Sequence, residues 1–125
     1  MTPAAWAAML GAGAVGAPAR FLVDGWVADR VGGAFPWGTL VVNVAGSLVL
    51  GVVTGLVLYH GFPATTRVVA GTGFCGAFTT FSTFAYETVR LAEEGETRPA
   101  AVNVAVTLCS GLAAAAAGLA LASAL

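Results

Sequence analysis

The sequence predicts an all-α membrane protein with four transmembrane helices, and three observations carry that prediction. The 125-residue chain is 58% hydrophobic and only 9% charged, where a soluble domain carries about a quarter charged residues. Its mean hydropathy is +0.90, and it contains no lysine. The apolar residues fall into four blocks separated by short polar connections, each block close to the roughly 20 residues that span a bilayer as a helix. The expected organisation is a single four-helix transmembrane domain over residues 1–125, with helices at about 3–23, 38–60, 67–89 and 99–124. A net charge of -1 gives no reason to expect nucleic acid as a partner. Membrane lipid is the expected surrounding, in a multi-pass protein of the cell membrane.

The first helix opens at Pro3 and carries Arg20 near its end. No Lys or Arg precedes it, so it lacks the basic region of a signal peptide. The connection that follows, Asp24 to Pro36, holds Asp29, Arg30 and a "VGG". The second helix places Thr39, Asn43 and Ser47 four residues apart, on one face. His60 ends it at the interface, and Pro63 marks the next turn.

The third helix is the unusual one. Between Arg67 and Glu87 there is no charge, yet Thr79, Thr80, Ser82 and Thr83 crowd together behind Gly71, Gly73 and Gly76. The glycines weaken a helix that must then carry β-branched threonines, which predicts a break. Non-helical backbone is tolerated at membrane depth only where it is buried in protein or lines a cavity, and carbonyls freed there can hold a cation. Thr79, Ser82, Thr83 and Tyr86 fall at helical spacing, and Phe74, Phe78, Phe81 and Phe84 form a row of rings. After the solvated run "RLAEEGETRP", the fourth helix offers Asn103 and Thr107 on one face, then an Ala-rich end suited to close packing. Ala12 with Gly16, and Gly51 with Gly55, fit contact faces between subunits or inside one subunit equally well. Cys75 and Cys109 lie in apolar segments with no metal or redox spacing, and read as small hydrophobes.

Polar groups inside a membrane are functional candidates because each costs free energy unless paired. Here three helices each present a row of neutral donors, with an arginine near one helix end. That set suits an anion. Ring edges of phenylalanine carry positive potential and can contact an anion that has shed water. Glu87 is the one carboxylate within a span, one turn from the end of the third segment. A path shielded from lipid is barely enclosed by four helices, so an oligomer is expected.

At these residues the chain resembles the Fluc (CrcB) family of fluoride channels. "GAVGAPARF" resembles its first-helix pattern ending in arginine, "PWGTLVVNVAGSLVLG" its second-helix motif, and "GTGFCGAFTTFSTFAYE" its broken third helix. The resemblance implies an antiparallel, dual-topology dimer with two pores along the subunit interface, passing fluoride passively out of the cytoplasm. It implies a structural sodium ion held by the backbone carbonyls of Gly76 and Thr79. It implies Phe81 and Phe84 as fluoride-facing rings, Asn43 as a pore donor, and Thr80, Ser82 and Thr83 as a hydroxyl track. Arg20 would sit in a vestibule and Glu87 near the pore. Asn103 and Thr107 stand where many relatives carry a tyrosine and a serine.

Two other classes compete. A proton-coupled multidrug exporter would want a carboxylate in the first helix, and none precedes Asp24. A non-transporting assembly subunit would explain the glycines but not three polar rows. No enzyme is expected. The connections after the first and third helices share a side and hold Arg30, Arg90 and Arg98, plus Arg20 if it reaches the interface, against Arg67 opposite. This bias leaves both a homodimer and a heterodimer with a homologous subunit open.

Overall fold

The computed structural model describes residues 1–125 and is entirely helical, with four segments long and apolar enough to cross a membrane. Helix α1 spans Pro3–Val31. The Thr2 side chain accepts from the Ala5 amide at 3.1 Å, and proline occupies the first turn, where its missing N–H costs nothing. The helix runs past Val23, the expected end, because helical hydrogen bonding continues after the apolar block stops. Its 29 residues measure about 44 Å, more than the roughly 30 Å hydrocarbon layer. The last turns therefore carry Trp26, Asp29 and Arg30 toward the headgroups, with the Arg30 guanidinium 4.0 Å over the Trp26 ring.

Helix α2 spans Trp37–His60 and ends on Gly61, whose left-handed φ of 70° turns the chain. The third span, Ala64–Glu93, is not one helix. It starts as α3 (Ala64–Thr66), widens into a π-helix over Arg67–Cys75, and closes with α4 (Gly76–Phe78). The backbone then opens at Thr79, with ψ of 163°, and resumes as α5 (Ser82–Glu93). The expected break is there. Helix α6 covers Thr97–Ser123.

Packing rests on small residues. A Cβ on Gly51 would strike the Ala115 carbonyl, and one on Gly55 would strike Ala122, so this pair seats α2 against α6. Gly16 lies against the Phe74 carbonyl, and Gly73 against Met9 and Ala12, which brings α1 onto the π-helix. Both small-residue pairs are thus contacts within one chain. Large apolar side chains such as Leu10, Leu22 and Leu58 remain exposed, as lipid requires.

Candidate functional site

The break is held open by Asn43. Its amide nitrogen donates to the Thr80 carbonyl at 2.9 Å, and its amide oxygen accepts from the Thr80 N–H at 2.8 Å. In a continuous helix that N–H would bond the Gly76 carbonyl. Instead the Gly76 carbonyl loses its helical donor, and so does that of Ala77, since the Phe81 N–H donates to neither. The Thr79 carbonyl accepts from Arg20 Nη1 at 3.3 Å and retains a second lone pair. The break thus strips the Gly76, Ala77 and Thr79 carbonyls of their helical donors, and Arg20 takes up the last of them.

The break also reorganises the side chains. The expected row of four phenylalanines becomes two pairs. Phe74 stacks on Phe78 (centroids 5.5 Å apart, 13° between planes), while Phe81 and Phe84 tilt at 57° with centroids 5.7 Å apart. Phe81 is 76% exposed and Phe84 only 8%. The row from Thr79 to Tyr86 dissolves too, because helical spacing does not cross an extended residue. The Thr79 hydroxyl turns back to the Cys75 carbonyl at 2.8 Å, and Tyr86 points outward. What gathers is Thr80, Ser82 and Thr83. Thr80 Oγ1 donates to Thr83 Oγ1 at 3.0 Å, accepts from the Thr83 amide at 3.1 Å, and lies 3.4 Å from Ser82 Oγ. This caps the start of α5 and supplies a hydroxyl cluster.

Two hollows flank the break. The larger, about 640 Å³, is a cleft running along α2, the third span and α6. Asn43 and Ser47, Gly76 and Thr79, Phe81 and Phe84, and Thr107 all reach it. Arg67 is the one charged residue on its wall, and no carboxylate lines it. The smaller, about 210 Å³, lies between α1, α2 and the head of α5, and brings Arg20, Asp24 and Thr39 to Thr80 and Thr83. Beside it Thr39 Oγ1 donates to Glu87 Oε1 at 2.5 Å, so this carboxylate of the third span is tied to α2. The second-helix row thus shares one face: Thr39 meets Glu87, Asn43 meets Thr80, and Ser47 lines the large cleft.

Asn103 does not join the others. It is 1% exposed, off both hollows, and both ends of its amide are used inside the protein. It donates to Thr88 Oγ1 at 2.9 Å and accepts from Thr107 Oγ1 at 3.2 Å. Thr88 was missed by the sequence reading. The signal was present: Thr88 lies seven residues before Gly95 in the α5–α6 turn and Asn103 eight after it, at one depth of an antiparallel hairpin.

A family model described as "CrcB-like protein, Camphor Resistance (CrcB)" matches residues 6–119. The chain belongs to this family. The chain is 52% identical over 118 residues to "Fluoride-specific ion channel FluC 1" of Symbiobacterium thermophilum, covering 93% of this chain and 95% of that protein. It is 46% identical over 119 residues to the protein of the same name from Leifsonia xyli, covering 95% and 87% of the two. "Fluoride-specific ion channel FluC 2" of Mycobacterium tuberculosis is 45% identical over 115 residues, covering 92% and 88%. The matched stretch runs through all four spans and includes the break and the residues that line both hollows.

Proposed function

We propose that this chain is the subunit of a fluoride-selective channel of the cell membrane, which lets fluoride leave the cytoplasm passively and so confers fluoride resistance. The observation that carries the reading is a half-built passage. Polar groups from α2, the third span and α6 line a cleft that one chain leaves open on the side of Phe81, Leu108 and Leu112. An open cleft with a polar lining at membrane depth needs a cover. A second copy in the opposite orientation supplies it and produces two equivalent pores along the interface. The fluoride in the relatives' names supplies the ion, and a cleft with neutral donors, one arginine and no carboxylate suits it. Phe81 and Phe84 act through their ring edges. Asn43 keeps a second amide proton on the cleft wall, Ser82 and Thr83 offer hydroxyls, Thr80 and Thr107 line the path with their own protons given to Thr83 and Asn103, Arg20 adds positive charge beside the path, and Glu87 borders it. The activity is conduction, not catalysis.

Sodium is part of the proposal. The Gly76 carbonyl, which has lost its helical donor, and the second lone pair of the Thr79 carbonyl, beside its bond to Arg20, are the donors that would hold it, and hard oxygen donors suit a hard cation. Bound there, it would offset the repulsion between carbonyls brought together by two copies.

The direct test of this role is rescue. In bacterial cells stripped of their own fluoride export, expression of this chain restores growth on fluoride; membrane-inserted protein that gives no rescue, either alone or with a homologous subunit, refutes the reading. One observation favours a second form of it. Arg20 is turned inward to Thr79, so it adds nothing to either membrane face, and the bias stays at Arg30, Arg90 and Arg98 against Arg67. A chain inserted one way only would need an oppositely biased homologous partner, and rescue would then require both.

A further inference from the structure

The hydrogen bonds of Asn103 form a directed relay. The Thr107 hydroxyl, on the wall of the large cleft, donates to Asn103 Oδ1 at 3.2 Å. Asn103 Nδ2 donates to Thr88 Oγ1 at 2.9 Å, and the Thr88 hydroxyl donates to the Phe84 carbonyl at 2.8 Å. Each hydroxyl has one proton, and each proton is spent toward Phe84. Chains of hydrogen bonds polarise one another, so a fully satisfied buried chain is stiffer than its separate links. Thr107 and Asn103 stand on α6, while Thr88 and Phe84 stand on α5. The single crossing from Asn103 to Thr88 therefore fixes how α5 sits on α6, and with it the depth of the Phe84 backbone.

We infer that Thr88 and Asn103 are positioning residues, a relay that sets Phe84 against its partner ring Phe81 without either residue touching the permeating ion. This rests on the reading of Phe84 as a fluoride-facing ring. It reassigns Asn103 from ion donor to support and gives Thr88 a role. The geometry leaves little alternative for Asn103: it is 1% exposed, and both the oxygen and the nitrogen of its amide are engaged within the chain. Phe84 is held almost buried while Phe81, one turn away, stands open. A ring in that state depends on its backbone for placement, because it has little room to adjust by rotation.

The test uses the full chain in liposomes, with two readouts. Phe84–Ala85 is the only Phe–Ala pair in the sequence, so protein labelled with carbonyl-13C phenylalanine and 15N alanine gives one correlated signal that reports the Phe84 carbonyl. The Thr88→Val and Asn103→Leu variants should each shift that signal, and Thr88→Ser should leave it in place. In fluoride efflux, Thr88→Val and Asn103→Leu should each lower the rate about tenfold or more. The double variant should be no slower than the slower single, and Thr88→Ser should recover most of the rate. An unmoved carbonyl signal in Asn103→Leu overturns the relay whatever the flux. Multiplying losses in the double variant also overturn it, since they mean that Asn103 acts by its own contact. Absence of efflux from the unmodified chain would instead count against the fluoride reading, while the carbonyl signal would still decide the relay.

Discussion

Replacing Asn43 by leucine removes the clamp that keeps the third span open while keeping the side chain's size. Thr80 is 8% exposed, so its N–H and carbonyl, bonded to Asn43 at 2.8 and 2.9 Å, have no water to turn to. An unpaired buried group costs about 1–3 kcal/mol, so two cost about 2–6 kcal/mol. Membrane proteins fall toward the low end, because a chain in lipid finds substitute partners. One substitute is evident: the Thr80 N–H can return to the Gly76 carbonyl. That closes the break, rotates Phe81 and Phe84 relative to the cleft, and removes a free carbonyl from the proposed sodium site. Asn43→Leu should thus destabilise the protein by about 2 kcal/mol or more in reversible unfolding in mixed micelles, and fluoride efflux should be lost. Asn43→Asp keeps the acceptor for the Thr80 N–H but loses the donor, so it should fall between leucine and the native residue in stability. Native stability and native efflux in Asn43→Leu would refute the clamp.

Other outcomes follow from the same geometry. Phe81→Ile and Phe84→Ile keep apolar bulk but lose the positive ring edge. Each should cut fluoride efflux severely while the protein still elutes as folded protein, and unchanged efflux in both returns the rings to packing. Gly16→Val should destabilise the fold by about 1–3 kcal/mol, the usual cost of overpacking, because a Cβ there already lies 2.5 Å from the Phe74 carbonyl; a native melting temperature argues against the α1 contact. Replacing sodium with a large organic cation should weaken dimerisation, read by fluorescence energy transfer between labelled subunits. Thr79→Ser should keep the sodium dependence because the proposed ligand is the carbonyl, and subunit association indifferent to sodium removes the ion from the account.

Much of the fold was legible because membrane spans follow from length and composition alone. The break was legible too, from glycines set just before β-branched threonines. The far end of α1 was not, since apolarity marks where hydrocarbon ends, whereas the helix continues through Asp24 and Arg30 on backbone hydrogen bonds that polar side chains do not interrupt. The Thr79 to Tyr86 row failed for a related reason. Its spacing assumed one helix across the residues where the break occurs. The second-helix row held, since no break interrupts α2. Asn103 shows a different limit. A buried amide looks the same in sequence whether it faces an ion or a neighbouring threonine, and only the seating of α5 on α6 separates the two.

The central claim is that this chain forms a passage selective for fluoride, and the measurement that meets it most directly is efflux from liposomes containing the purified chain alone. Loaded with fluoride, they should empty rapidly once the membrane potential is clamped with a potassium ionophore. Identical liposomes loaded with chloride should retain their anion, as expected if a site of neutral donors and ring edges accepts only the smaller ion. Equal release of both anions, or retention of fluoride by liposomes shown to contain folded protein, even with a homologous subunit added, would contradict the account.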